Sequence, residues 1–189
     1  MSDSSSGNEQ TVLHVGCGPA NPAKLHSTFR TPLWKEIRLD IDPACQPDIV
    51  ATIVHMPMVA TVSHDAVWSS HNLEHLEAHN VTQALREFHR VLKPGGFLLI
   101  TLPDLQKIAE LVAADKLEDP AYVSAAGPIA PLDMIYGHRP SIAAGNAFMA
   151  HRTGFTARSL VSHLHAAGFV NIQYKRVNFD LWARAEKHQ

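Results

Sequence analysis

Short apolar runs separated by polar, glycine- and proline-containing segments divide this chain of 189 residues. Four short runs predict β-strands, two of them rich in β-branched residues and one, residues 36–40, with alternating polarity; they span residues 11–15, 36–40, 48–54 and 65–70. A fifth run, residues 97–102, is apolar at every position except one threonine. Such a run is typical of a parallel strand that helices cover on both faces.

Helical periodicity is clearest after residue 80, where apolar side chains recur with the spacing of a buried stripe: Val81, Ala84, Leu85, Phe88 and Leu92. Asn80 is predicted to cap this helix, with Gln83 as its capping-box partner. Residues 93–96, Lys-Pro-Gly-Gly, end it.

Further helices are predicted over residues 105–117 and from a cap at Thr156 to Gly168. Residues 170–177 and 180–187 predict a terminal hairpin.

The alternation of strands and helices predicts an α/β domain with a mostly parallel sheet and a C-terminal antiparallel hairpin. Only residues 43–47 separate the second and third strands, which is too short for a crossover helix, so a trimmed form of such a fold is expected. Residues 119–155 follow neither period and carry four prolines and four glycines, which predicts a substrate lid. Residues 1–10 predict a disordered tail, and residues 11–189 a single domain.

Composition and charge indicate which kinds of molecule or surface the chain is expected to bind. The net charge is −2 and lysine and arginine form no dense stripe, which argues against nucleic acid as the main partner. No apolar run approaches the roughly 20 residues that span a bilayer, so no membrane association is expected. The two cysteines favour a reduced, cytoplasmic setting over a disulfide scaffold. Assembly into a homodimer stays open.

A nucleotide-binding turn is predicted where the first strand runs into Gly16-Cys17-Gly18. Glycines accept unusual backbone angles and let a ligand approach the main chain closely. Asp40 follows about 22 residues later, at the end of the second strand, where a carboxylate can accept hydrogen bonds from ribose hydroxyls. The same pattern also fits a plain strand and turn with a solvent-exposed aspartate.

Four segments taken in order resemble the class I S-adenosylmethionine-dependent methyltransferases: VLHVGCGP, RLDIDP, DAVWSSHNLEHL and ALREFHRVLKPGGFLLITLPD. The resemblance covers about residues 11–104 and, more loosely, the last helix and hairpin. It implies a trimmed Rossmann-like methyltransferase fold, S-adenosylmethionine as cofactor, and an acceptor that is a small molecule or is related to glycans.

The resemblance also implies which residues contact the cofactor. The glycine turn would pass under the methionine part, Asp40 would hold the ribose, and the ends of the third and fourth strands would face the adenine and the sulfonium. The predicted set is His14, Gly16, Cys17, Gly18, Asp40, Ile41, Asp42, Thr52, Ile53, Ser70 and His71. The chain departs from the family at His14 and Thr52, where acidic residues are common, and at Ala20, where a third glycine is common.

The letters from His71 to His75 spell H-x-x-E-H, which on a helix can place two imidazoles on one face to bind zinc. Here the motif follows the end of a strand, a context that the methyltransferase resemblance explains. We therefore predict no metal, and expect Glu74 and His75 to fix the loop by hydrogen bonds.

Methyl transfer is an in-line displacement that depends mainly on proximity and orientation, and a base is needed only if the acceptor must lose a proton. The candidates for a catalytic role are His71, Asp104, Tyr136 and His151. Two alternatives stay open: a cofactor-binding subunit that supports a partner protein without doing chemistry, and an aminopropyl transferase on the same fold. The second calls for an acidic pocket that the sequence after the fourth strand does not offer.

Overall fold

Nine strands and five α-helices account for most of the regular structure in the computed structural model, which describes residues 9–189. The strands are β1 (Gln10–Val15), β2 (Trp34–Asp40), β3 (Ile49–Val50), β4 (His64–Ser70), β5 (Leu92–Pro103), β6 (Tyr122–Ser124), β7 (Gly127–Ile129), β8 (Val170–Val177) and β9 (Asp180–Glu186). The helices are α1 (Val81–Val91), α2 (Leu105–Ala113), α3 (Pro131–Tyr136), α4 (Arg139–Ala143) and α5 (Ala157–Ala166). Gln10 belongs to β1 and not to the predicted tail, of which residues 1–8 lie outside the described part.

Seven strands form one sheet in the order β3-β2-β1-β4-β5-β9-β8. Strands β1 to β5 run parallel, and β9 pairs antiparallel with both β5 and β8. The mostly parallel sheet with a terminal hairpin is thus confirmed. Strands β2 and β3 follow β1 on one side of it, and β4 then pairs with β1 on its other side. Ligands of open α/β sheets bind at such a reversal of strand order, beyond the carboxyl ends of the strands.

The third strand is much shorter than predicted, because β3 pairs with β2 only at Leu39–Ile49 and Asp40–Val50, where β2 ends. The chain then turns, with Thr52 and His55 forming an isolated bridge. A 3-10 turn, Pro43–Cys45, joins β2 to β3 without a crossover helix, as the short spacing predicted. Helix α2 ends at Ala113, four residues before the predicted end.

The two predicted helix caps have different outcomes. Asn80 makes no capping hydrogen bond, because a 3-10 turn, Ala78–Asn80, leads directly into α1 and gives Asn80 a helical backbone. Gln83 donates instead to the carbonyl of Val54, 3.2 Å away. At α5 the prediction is confirmed: the Thr156 hydroxyl accepts a hydrogen bond from the Ser159 N–H at 3.3 Å.

The sheet is covered differently on its two faces. Helices α1 and α5 pack on one face and bury the main apolar core, with Phe88 and Leu160 fully inside it. Full burial of such a side chain stabilises the fold by about 1.5–3 kcal/mol. The other face is covered by two 3-10 turns, Pro22–Lys24 and Ser27–Phe29, and its core is built around Phe29.

Residues 119–155 are more ordered than their irregular sequence predicted, since they form β6, β7, α3, α4 and a 3-10 turn, Ala147–Met149. They pack on α2 around a small apolar cluster of Ile108, Ile129 and Met134. The backbone N–H groups of Arg152 and Thr153 donate to the Glu74 carbonyl at 2.7 and 3.2 Å. The segment is therefore joined to the loop after β4. Among the described residues, no helix is long and apolar enough to cross a membrane.

Candidate functional site

A cavity of about 730 Å³ opens at the carboxyl ends of β1, β2 and β4. Its volume lies within the range of small-molecule and cofactor sites. The glycine turn and the ends of β2 and β4 line one part, and residues of the 119–155 segment line another. The site therefore lies where the strand order reverses.

The turn after β1 requires glycine at both predicted positions. Gly16 and Gly18 have φ values of +59° and +61°, which L side chains rarely adopt. A Cβ atom on Gly16 would lie 1.6 Å from Oδ1 of Asn72, whose amide donates to the Val15 carbonyl at 2.9 Å. Asn72, from the loop after β4, therefore holds the turn in place.

Cys17 contributes its backbone to the turn, because its side chain is buried in the protein and does not line the cavity. Burial raises the pKa of the thiol to about 11, so it stays protonated at neutral pH. Only the main chain of Cys17 can therefore approach a ligand in the cavity.

The carboxylate of Asp40 connects the glycine turn to the end of β2. Its Oδ2 atom accepts a hydrogen bond from the Gly18 N–H at 2.7 Å, and its Oδ1 atom accepts one from the Asp42 N–H at 2.9 Å. Each carboxylate oxygen can accept a further hydrogen bond. Asp40 can therefore fix the turn and still accept hydrogen bonds from ribose hydroxyls.

His14 occupies the position where the family commonly has an acid, and it pairs with a carboxylate from the neighbouring strand. Its Nδ1 atom lies 2.6 Å from Oε1 of Glu36 on β2. Burial lowers the pKa of the imidazole, although the Glu36 hydrogen bond and charge oppose this. A neutral His14 therefore donates to Glu36, and it is the imidazole that lines the cavity.

The other predicted cofactor contacts also line the cavity: Ile41, Asp42, Thr52, Ile53, Ser70 and His71. Sequence reasoning missed Lys24, at the end of the first 3-10 turn. A Cβ on Gly18 would lie 2.5 Å from the Lys24 Nζ atom, so this cation stands directly over the glycine turn. The only signal for Lys24 in the sequence is that a lysine follows the glycine turn by six residues.

The residues present fit S-adenosylmethionine. Backbone groups of the glycine turn can approach its methionine part, and the Lys24 ammonium suits the methionine carboxylate. Asp40 suits the ribose, and Ile41 and Ile53 supply apolar surface for the adenine.

His71 is the most unusual side chain of the cavity. Its backbone has φ +53°, a strained value for a residue other than glycine that often marks functional positions. Its Nδ1 atom lies 3.2 Å from Oε1 of the buried Glu74, and its Nε2 atom lies 3.8 Å from Oδ1 of Asp180. Burial opposes charge on the ring, but Glu74 and Asp180 outweigh it and raise the pKa of His71 above its ordinary value.

Two of the four catalytic candidates do not line the cavity. Asp104 is fully buried; it caps α2 through the Gln106 N–H at 3.2 Å, and its Oδ2 atom lies 3.1 Å from Nε of Arg176. Tyr136, the last residue of α3, is 62% exposed. Asp104 follows a strand and Tyr136 lies in an irregular segment, and neither position in the sequence determines the direction of the side chain. The structure therefore places neither Asp104 nor Tyr136 in the lining of the cavity.

His151 does line the cavity, next to His75. Its Nδ1 atom lies 2.9 Å from the carbonyl of Met134. Burial lowers the pKa of His151, with smaller and mixed contributions from Glu74 and His75. The ring is therefore neutral at neutral pH.

Asp104→Ala is expected to destabilise the fold without affecting the cavity. Loss of the α2 cap costs about 1 kcal/mol, and loss of the contact with Arg176 adds to this. Urea unfolding measures the change, and titration with S-adenosylhomocysteine should give wild-type affinity. A weakened affinity with unchanged stability would contradict the structural role.

Asp40→Ala is expected to weaken S-adenosylhomocysteine binding at least tenfold, about 1.4 kcal/mol. The change removes the carboxylate that suits the ribose and frees the Gly18 N–H of the turn. Isothermal titration calorimetry measures the affinity, with the exposed Asp119→Ala as control. An unchanged affinity would mean that Asp40 is not the ribose contact.

Comparison with known proteins agrees with this geometry. The sequence model of the methyltransferase domain family matches residues 13–100. A methyltransferase from Methanosarcina mazei, described as S-adenosylmethionine-dependent, has 17% identity and a TM-score of 0.63, over 96% of this chain and 93% of that one. The Burkholderia thailandensis 1,6-didemethyltoxoflavin-N1-methyltransferase, solved with its substrate and S-adenosylhomocysteine, has 16% identity and a TM-score of 0.56, over 97% and 73%.

Several matched structures are considerably longer than this chain. A "possible exported protein" from Bordetella parapertussis has 17% identity and a TM-score of 0.61, over 96% of this chain and 62% of that one. In all, the chain spans between 48% and 62% of the length of four matched structures. At these identities the structures show the fold, and the family match adds the methyltransferase domain. The match of residues 13–100 to the methyltransferase domain family, together with the fold shared with these structures, indicates S-adenosylmethionine as the cofactor.

Proposed function

We propose that this chain transfers a methyl group to a hydroxyl oxygen of a small polar acceptor, with His71 as general base. The observation that carries the proposal is the position of the His71 ring, which lines the cavity and is held by the buried Glu74 carboxylate at 3.2 Å. A base that lines the binding site and is oriented by a second group is typical of catalytic proton transfer.

The state of His71 suits this role. The Glu74 carboxylate accepts from Nδ1–H, which leaves Nε2 as the nitrogen that can take a proton. The Glu74 and Asp180 carboxylates raise the pKa of His71, which makes the ring a stronger base. Asp180, 3.8 Å from Nε2, stabilises the imidazolium that forms.

Polar and charged side chains around His71 favour a hydroxylated acceptor, either a small molecule or a glycan-related compound. Asp180, His138, His151 and Arg152 line the cavity with it. Asp133 also lines it, but its carboxylate is engaged by Arg139 at 2.8 Å, which lowers its pKa to about 2. Residues 119–155 act as the lid that excludes water from these groups.

Bound S-adenosylmethionine supplies a methyl group on a positively charged sulfur. His71 Nε2 accepts the hydroxyl proton of the acceptor while the acceptor oxygen forms its bond to the methyl carbon and the carbon–sulfur bond breaks. The proton stays on His71 until the ether product leaves, and it then passes to solvent. The protein otherwise contributes orientation and exclusion of water.

The pH dependence tests the role of His71. The base must be unprotonated, so the rate is expected to fall as the pH drops through the pKa of His71, at a midpoint above 6.5. Glu74→Gln removes the negative charge that raises this pKa, so the midpoint should move to lower pH. A pH profile of the transfer rate measures both, and a midpoint that does not respond to Glu74→Gln would contradict the proposal.

A methyl-transfer screen identifies the acceptor, with S-adenosylmethionine labelled in its methyl group and a panel of hydroxylated small molecules and sugars. Transfer to an oxygen that His71→Ala slows about 10²-fold or more supports the proposal. Transfer to nitrogen or carbon contradicts it. Transfer that appears only with a second protein would favour the alternative of a cofactor-binding subunit.

The free cysteines, Cys17 and Cys45, support a cytoplasmic location as part of this proposal.

A further inference from the structure

Three side chains with metal-binding atoms meet beside His71. Glu74, His75 and His151 each offer one such atom, and these atoms lie within 4.8 Å of one another. Glu74 and His75 belong to the 3-10 turn Leu73–His75, and His151 comes from the far end of the 119–155 segment. The two imidazole rings are neighbours, with centroids 4.9 Å apart. Small side-chain movements would place each of these atoms roughly 2.0–2.2 Å from one shared ion, which is the distance of nitrogen and oxygen ligands from zinc.

The backbone orients both histidines as metal ligands. The Nδ1 atom of His75 lies 3.1 Å from the carbonyl of Ala150, and that of His151 lies 2.9 Å from the carbonyl of Met134. A carbonyl only accepts hydrogen bonds, so each Nδ1 carries the hydrogen and each Nε2 keeps its lone pair. Metal-binding histidines almost always donate their other N–H in this way.

Glu74 provides an independent observation that points to a cation. The residue is 1% exposed, and its Oε1 atom is taken by His71. Its Oε2 atom is buried and has no hydrogen-bond partner among the residues that the structure describes. An unpaired buried carboxylate oxygen is costly, and a bound cation would satisfy it.

We propose that Glu74, His75 and His151 bind a divalent transition-metal ion. Two imidazole nitrogens and one carboxylate oxygen suit Zn²⁺, Fe²⁺ or Co²⁺ and leave positions for water or a ligand, whereas Mg²⁺ prefers oxygen ligands. The ligand set differs from the H-x-x-E-H motif. His71 contacts the other carboxylate oxygen of Glu74, and His151 takes the place of His71 as the second imidazole ligand.

The site faces the cavity, which His75 and His151 both line. A ligand bound there could therefore also contact the metal. Metal binding goes beyond the proposed methyl transfer and does not depend on it, although Glu74 would bind the ion through one oxygen and hold the proposed base, His71, through the other.

Titration of the untagged, chelator-treated chain with Co²⁺ tests the site through the visible d–d absorption of the bound ion. One equivalent is expected to bind, and His151→Ala is expected to lower the affinity by about tenfold or more. Zn²⁺ should raise the Tm of the wild-type chain, because an ion that binds only the folded state stabilises it, and Mg²⁺ should not. Glu74→Gln serves as a second variant if His151→Ala fails to fold.

His79→Ala is the matched control, since His79 is an exposed histidine four residues from His75. It should bind Co²⁺ like the wild type. Absence of binding, or equal affinity in the wild type and His151→Ala, would overturn the site. Sulfur-to-cobalt charge-transfer bands would overturn it too, because they would place the ion on Cys45, which lines the same cavity. S-adenosylhomocysteine affinity, measured in parallel, distinguishes failure of the metal site from failure of the methyltransferase proposal.

Discussion

Gly16→Ala is expected to lower the affinity for S-adenosylhomocysteine by about a hundredfold or more, which corresponds to about 2.8 kcal/mol. The added Cβ would lie 1.6 Å from Asn72 Oδ1, so Asn72 must move and lose its hydrogen bond to the Val15 carbonyl. The left-handed backbone adds a cost of about 1–2 kcal/mol. Both effects shift the turn on which the cofactor would rest. Isothermal titration calorimetry measures the affinity.

Gly127→Ala is the matched control, because Gly127 also has a positive φ, +107°, but a Cβ there meets nothing within 4 Å. It carries a backbone cost without the clash, and wild-type affinity is expected. Wild-type affinity in Gly16→Ala would show that the glycine turn does not contact the cofactor.

His71→Ala is expected to lower the rate of methyl transfer about 10²- to 10⁴-fold, the usual contribution of a general base. The ring is held by Glu74 from one side, and no other described imidazole has this contact. Affinity for S-adenosylhomocysteine should change much less than the rate, because the glycine turn, Lys24 and Asp40 are expected to carry most of the binding. Single-turnover transfer to the acceptor found in the screen measures the rate.

His79→Ala again provides a comparison, since it removes an exposed imidazole from the same region of sequence. It should transfer methyl groups at the wild-type rate. Equal rates in His71→Ala and the wild type would mean that the acceptor needs no base from this residue.

The parts of the site that adjoin strand ends were predictable from sequence. A strand that ends in Gly16-Cys17-Gly18, followed by a strand that ends in Asp40, puts these residues on one edge because both strands are parallel neighbours. The structure brings them within hydrogen-bond distance, 2.7 Å from the Gly18 N–H to Asp40. Parallel pairing brings the two strand ends to one edge, and the glycine turn then brings the Gly18 N–H to Asp40.

Other parts depend on contacts between distant segments that no local pattern encodes. Glu36 reaches His14 from the neighbouring strand β2, and Asn72 reaches the Gly16 turn from the loop after β4. Asp104 looked like a cavity residue because it follows β5, but it caps α2 and turns into the interior. The direction of a side chain after a strand depends on the next turn, which the sequence did not specify.

The histidine-rich loop shows the same limit. The H-x-x-E-H letters suggested a pair of imidazoles from one helix, but the segment is a 3-10 turn after a left-handed residue. Glu74 therefore lies between His71 on one side and His75 with His151 on the other. His151 enters this group because residues 152 and 153 bind the Glu74 carbonyl, a contact across 78 positions or more of sequence that periodicity does not reveal.

Binding of the cofactor product is the most direct test of the central claim, that the cavity at the reversal of strand order holds S-adenosylmethionine. Isothermal titration of the chain with S-adenosylhomocysteine is predicted to give one site per chain, with binding that Asp40→Ala weakens at least tenfold. Absence of binding at high micromolar concentration would contradict the account.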